Sequence, residues 1–143
     1  MKALSLSRHR KQRSPQRRER RESVQTVKEA EEGGVGDKRY AQQERIFTLL
    51  RKDKANKHCF DCYAPNARWA SVNNAIFLCM NCTSLHRSLG VNFSFVQSTT
   101  IDLWSGETLR MMSLGGNKRL KEWFKEYGLF DKSMDLRYMT IAA

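Results

Sequence analysis

The four cysteines of this chain fall in two pairs, Cys59-Phe60-Asp61-Cys62 and Cys79-Met80-Asn81-Cys82, with sixteen residues between them. Two residues between thiols let both point at one ion. A sixteen-residue gap is long enough for a hairpin to return the second pair and complete a tetrahedron. The spacing therefore predicts a zinc site with Cys59, Cys62, Cys79 and Cys82 as ligands. Four thiolates leave no open position, so the metal is expected to be structural. The competing readings are two disulfides or four unrelated buried thiols. Nothing at the start of the chain has the apolar length of a secretory signal, and no cysteine is left over.

Charge divides the chain. Residues 1–21 carry nine Lys/Arg and a single acid, Glu19. Like charges at this density repel one another and stay solvated, so residues 1–37 are expected to form a disordered basic tail. It would end in a flexible linker, Glu-Glu-Gly-Gly-Val-Gly, at residues 31–36. The Arg- and Ser-rich start also fits a mitochondrial presequence, and a basic tail contacts anionic membrane or nucleic acid through charge alone. The longest apolar runs are a few residues, too short to span a bilayer. Residues 38–143 are expected to form one domain.

Along that domain, Ile46, Leu49 and Leu50 share a helical face flanked by Phe47. Trp69–Val72 and Ala75–Leu78 read as two strands joined at Asn73-Asn74, a pair that tolerates positive φ in a two-residue turn. A short helix after Cys79 should end at Gly90, with Leu85 and Leu89 inward. Arg87 then points outward on the face of Thr83 and Ser84. Val91, Phe93 and Phe95 alternate with polar residues, as in a half-buried strand. Ser105 is a candidate N-cap for a helix over 107–114, with Leu109 and Met112 inward. Leu120, Trp123, Phe124 and Tyr127 follow helical spacing toward Gly128, with the aromatics read as core. Short strands around a metal with helices over them give an α+β class: a small domain centred on a four-cysteine zinc finger, its short β-sheet flanked by helices.

No nucleophile–base pair declares itself, and no GxxxxGK[ST] loop cradles phosphate, so the chain has no nucleotide site of its own. His58 adjoins a ligand, and His86 sits beside Arg87. Arg87 is left as the functional candidate. A guanidinium on an element clamped at one end loses little entropy on docking to an anion. The residues alone leave a phosphate contact, an acidic partner or a plain surface arginine open.

The pattern Cys-x2-Cys-x16-Cys-x2-Cys-x4-Arg, followed by Ser-Leu-Gly-Val, resembles the zinc-finger domain of the Arf GTPase-activating (ArfGAP) family. NKHCFDC, WASVNNAIFLC, HRSLGV, FSFVQS, the Asp102-x-Trp104 pair and GGN at 115–117 continue the likeness in order, from about Tyr40 to Tyr138. The resemblance implies a GTPase activator rather than an enzyme with its own nucleotide site. The partner would be an Arf-type small GTPase in its GTP-bound form. Arg87 falls on the family's catalytic arginine, supplied in trans, and Zn2+ is the implied structural cofactor, one per chain. Trp69 should pack near the finger, and Asp102 and Trp104 should brace the domain. A cytoplasmic place peripheral to Golgi or endosomal membranes follows, with residues 1–21 touching anionic lipid. The chain departs from the family at Gln97, where arginine is usual, at Asn92, where histidine is usual, and at Thr83-Ser84-Leu85. The alternatives are a non-catalytic Arf-binding or trafficking adaptor and a zinc-finger nucleic-acid binder. Residues 83–109 hold one Lys/Arg, Arg87, which argues against the latter.

Overall fold

The computed structural model describes residues 21–22 and 36–142 of the 143-residue chain. The tail expected over residues 1–37 lies outside the described residues, except for Arg21, Glu22 and the first two residues of helix α1.

Helix α1 (Gly36–Leu50) leads through a 3-10 turn (Lys54–Lys57) to the first cysteine pair. Strands β1 (Trp69–Ser71) and β2 (Ile76–Leu78) form the hairpin. Helix α2 (Met80–Leu89) then starts beside the second pair, and β3 (Val96–Ser98) returns to the other edge of β1. Helices α3 (Gly106–Leu114), α4 (Asn117–Glu126) and α5 (Met134–Ala142) complete the domain. The sheet is antiparallel in the order β2-β1-β3, with Ala70 opposite both Phe77 and Gln97.

Successive strand residues face opposite sides, so the sheet has two different faces. Ala70 and Phe77 join Ile46, Phe47, Trp104, Leu109 and Met112 in one core, under α1 and α3. Ile76 and Leu78 join Cys59, Phe60, Leu89, Phe124 and Tyr138 in a second core, around the cysteines, α4 and α5. The expected α+β architecture is present, with the cysteine cluster built into one of its two cores.

Local readings fared unevenly. Ser105 caps α3, its hydroxyl accepting the Thr108 N–H at 3.2 Å, and Leu109 and Met112 point inward. Gly128 adopts φ 66° just past α4. In α1, however, Phe47 is core while Leu49 and Leu50 are half-buried. Tyr127 is exposed rather than core. In the hairpin, Asn73 and Asn74 do occupy the turn, but the positive φ of 54° falls on Ala75. The asparagines serve instead as hydrogen-bonding groups. Asn73 Oδ1 accepts from the Phe95 N–H, and Asn74 Nδ2 donates to the Phe93 carbonyl. Those bonds hold residues 91–95 as a loop, and the strand begins only at Val96. The buried residue of that loop is polar Ser94, while Val91 and Phe95 are exposed.

The run GGN at 115–117 couples the hairpin to α4. A Cβ on Gly115 would lie 2.2 Å from that of Ala75, and the Gly116 N–H donates to the Ala75 carbonyl. Asn117 accepts the Phe77 N–H and donates to the carbonyls of Ala55 and His58. One buried amide thus ties the 3-10 turn, β2 and α4 together.

Candidate metal centre and arginine site

The two cysteine pairs meet as the spacing predicts. The thiol sulfurs of Cys59, Cys62, Cys79 and Cys82 all lie within 4.8 Å of one another, and no disulfide joins them. Ligands about 2.3 Å from a tetrahedral zinc stand roughly 3.8 Å apart, so the cluster is of the right size. Cys79 caps α2, its sulfur accepting the Cys82 N–H at 3.4 Å. Burial pushes the Cys59 and Cys82 thiols up. At Cys79 burial acts upward too, but the Cys82 N–H and neighbouring thiols outweigh it and the thiol goes down. Packed without a cation, Cys59 and Cys82 resist ionising. A soft divalent ion reverses that balance by supplying the missing positive charge. The residues present fit zinc.

Asp61, between the first two cysteines, anchors the metal loop to the rest of the domain. It accepts from His86 Nε2 at 2.6 Å, from Arg137 Nη2 at 3.2 Å and from the Tyr138 hydroxyl at 3.0 Å. His86 is fully buried, and its Nδ1 meets the Ser94 hydroxyl at 2.8 Å, which in turn meets Ser71 at 2.7 Å. Burial beside the Asp61 carboxylate drives the Tyr138 hydroxyl well above the ordinary phenol range. Helix α2 is therefore fixed at its start by two cysteines and at its middle by His86.

Arg87 follows His86 and is exposed. Its guanidinium lies over the Trp69 ring, 5.1 Å from the centroid, a cation–π contact that holds it beside β1. The outward direction expected for Arg87 is correct, but the face assignment behind it is not. Leu85 is 55% exposed, while Thr83 and His86 are buried with Leu89. A polar inward face replaces the apolar one because His86 has the Asp61 carboxylate to meet. Asp61 between the first two cysteines and His86 one turn past the last were the available signal, and apolar periodicity overlooked them.

Asp102 and Trp104 brace the domain. Asp102 accepts the Ser98 N–H, and the Trp104 indole donates to the Ser98 carbonyl. Buried Gln43 of α1 donates to the Asp102 carbonyl and accepts from the Trp104 N–H. Gln97 projects with Ala70, on the sheet face away from Trp69 and Arg87.

Known proteins are similar to this chain. Residues 44–138 match the family model ArfGap, described as "Putative GTPase activating protein for Arf". The chain belongs to the ArfGAP family. Mouse "ADP-ribosylation factor GTPase-activating protein 3" is 44% identical over 99 residues, which cover 68% of this chain and 19% of that protein. A yeast relative, "ADP-ribosylation factor GTPase-activating protein GCS1" of Saccharomyces cerevisiae, is 48% identical over 85 residues, or 59% of this chain and 24% of its own. The ArfGAP chain thus spans about a fifth of the mouse relative's length. A crystal structure from Cryptosporidium parvum, described as a "putative GTPase activating protein for ADP ribosylation factor", superposes with a TM-score of 0.61 at 34% identity. It covers 78% of this chain and 94% of its own. Among the described residues, no helix is long and apolar enough to cross a membrane.

Proposed function

We propose that this ArfGAP domain stimulates GTP hydrolysis on an Arf-type small GTPase in its GTP-bound form, with Arg87 entering in trans as an arginine finger. The GTPase supplies the nucleotide site, its magnesium and the group that orients water. The ArfGAP domain supplies the cation that neutralises charge growing on the phosphoryl oxygens. Fingers of this kind are worth roughly 10³–10⁵ in rate, or about 4–7 kcal/mol. The observation that carries the reading is the placement of Arg87: exposed, stacked on Trp69, on a helix pinned by Cys79, Cys82 and His86. A guanidinium held this way needs little further ordering to reach an anion.

Cys59, Cys62, Cys79 and Cys82 hold one zinc ion in this proposal. The ion fixes the start of α2 and takes no part in the chemistry. Contact with cytoplasmic faces of Golgi or endosomal membranes, through residues 1–21, belongs to the same reading.

The test is single-turnover GTP hydrolysis on a panel of GTP-loaded Arf-type GTPases, with and without the full chain. Stimulation of at least one member is expected. Binding without stimulation of any member would favour the adaptor role instead. Gln97 bears on this outcome, because the usual arginine is absent there, yet it sits on the face turned away from Arg87.

A further inference from the structure

A second cationic feature lies on the opposite side of the sheet and is not used by the proposed reaction. A cleft of about 420 Å³ opens between α1 and the β1–β3 end of the sheet, lined by Arg51, Lys57, Arg68, Thr99 and Thr100 among others. Because Trp69 carries Arg87 on one face, the preceding residue, Arg68, faces the other. The cleft and the arginine finger are therefore back to back.

Arg51 is the floor of this cleft. Its stem and guanidinium pack on Phe47 and Phe77, 5.7 and 5.3 Å from the ring centroids. Nη2 donates to the Ala67 carbonyl at 3.2 Å and to Thr99 Oγ1 at 2.9 Å. That hydroxyl is itself oriented, donating to the Arg68 carbonyl. Among the described residues, no carboxylate pairs with Arg51, and its Nη1 and Nε have no protein acceptor. Burial, and then the like charge of Arg68, pull the Arg51 pKa down. A structural arginine at this depth ordinarily meets a carboxylate. The one acid lining the cleft, Glu44, starts two helical turns back along α1, a backbone rise of about 10 Å, and makes no ion pair with Arg51.

We infer that this cleft is a binding site for a phosphate-bearing anion. The remaining Nη1 and Nε donors of Arg51 would meet it at the floor, with Arg68 and Lys57 closing over it at the rim. Planar guanidinium groups and the Thr100 hydroxyl suit the several acceptor oxygens of a phosphate monoester better than a single carboxylate. A lipid headgroup and a soluble phosphate ester present the same chemistry. The inference is independent of the Arf reading.

The experiment uses the full chain loaded with zinc. Amide chemical shifts are followed during titration with inorganic phosphate and with soluble inositol trisphosphate. Sedimentation with phosphatidylcholine vesicles, plain or doped with phosphatidylinositol bisphosphate, gives the lipid arm. Three variants accompany the wild type: Lys57→Glu with Arg68→Glu at the exposed rim, Arg51→Lys at the floor, and Arg17→Glu with Arg18→Glu in the basic tail. Saturable shifts at Lys57, Arg68, Thr99 and Thr100 are expected. The rim variant should weaken binding by roughly tenfold or more, the effect of losing a charge-assisted hydrogen bond. The tail variant should retain the shifts at the cleft. Tighter binding to doped vesicles than to soluble inositol trisphosphate assigns a lipid, and the reverse assigns a soluble ester. Absence of saturable shifts at the cleft overturns the inference. So does a rim variant, folded by its amide spectrum, that binds as the wild type does.

Discussion

Arg87 is held from below by an aromatic ring and from behind by its own neighbour. Trp69 lies under the guanidinium, and His86, one residue earlier, is locked into the interior by Asp61 and Ser94. Under the proposed mechanism, Arg87→Ala and Arg87→Lys both lower stimulated GTP hydrolysis by about three to five orders of magnitude. Lysine fails because it keeps the charge but loses the planar fork. Stability should change little, by about 0.5–1 kcal/mol for the cation–π contact at an exposed site. Single-turnover hydrolysis and a melting curve measured together separate the two effects. Unimpaired stimulation by a folded Arg87→Ala chain rules out the finger. Tyr138 offers a contrasting case. Its hydroxyl is spent on the Asp61 carboxylate inside the second core. Tyr138→Phe should cost roughly 1–3 kcal/mol by urea denaturation, since a hydrogen bond to a charged group is lost in the interior.

At the scale of the elements, the joint between hairpin and α4 leaves no spare room at Gly115. Gly115 has no room for a methyl group, because the Ala75 side chain already occupies the space. Gly115→Ala must push the hairpin turn away from α4 and should cost about 1–3 kcal/mol, the usual range for overpacking. A denaturation midpoint equal to wild type would mean that the joint yields freely. The sequence made part of this legible. The cysteine spacing, the α3 cap, the Phe124 stripe and the hairpin with Asn73-Asn74 at its turn were all readable, because they are local or periodic. Residues 91–95 looked like a strand for the same reason and are not one. Their conformation is set by Asn73 and Asn74 side chains some twenty residues earlier. Leu85 was placed inside by periodicity, while the inward position went to His86, whose partner Asp61 lies in another element. Polar contacts between distant residues leave no period in a sequence. GGN was recognisable as a motif, but its packing against Ala75 appears only in three dimensions.

For the whole molecule, the cysteine cluster is built into one of two cores. The second core is lined by Cys59, Cys79 and Cys82 themselves, together with Ile76, Leu78, Phe124 and Tyr138. Structural zinc of this type contributes about 10–16 kcal/mol in small finger peptides. That matches or exceeds the roughly 5–15 kcal/mol net stability of a whole domain. Stripping with a strong chelator should therefore abolish cooperative unfolding, and titration with zinc should restore it at one ion per chain. Native mass spectrometry gives the stoichiometry and calorimetry the transition. A chain that melts cooperatively at an unchanged temperature after verified metal removal would contradict the structural role.

The Asp61 carboxylate also imposes a schedule on synthesis. Its histidine partner is made 25 residues after it, and its arginine and tyrosine partners 76 and 77 residues after it. A ribosome delivers all four cysteines well before it delivers α5. With the proposed zinc site, the nascent chain can take up an ion while the acid between the first two cysteines still lacks two of its three side-chain partners. Of the helices described, α5 is the last to emerge and is the one that finishes the first loop, so a zinc site of the proposed kind can close before the clasp on Asp61 does.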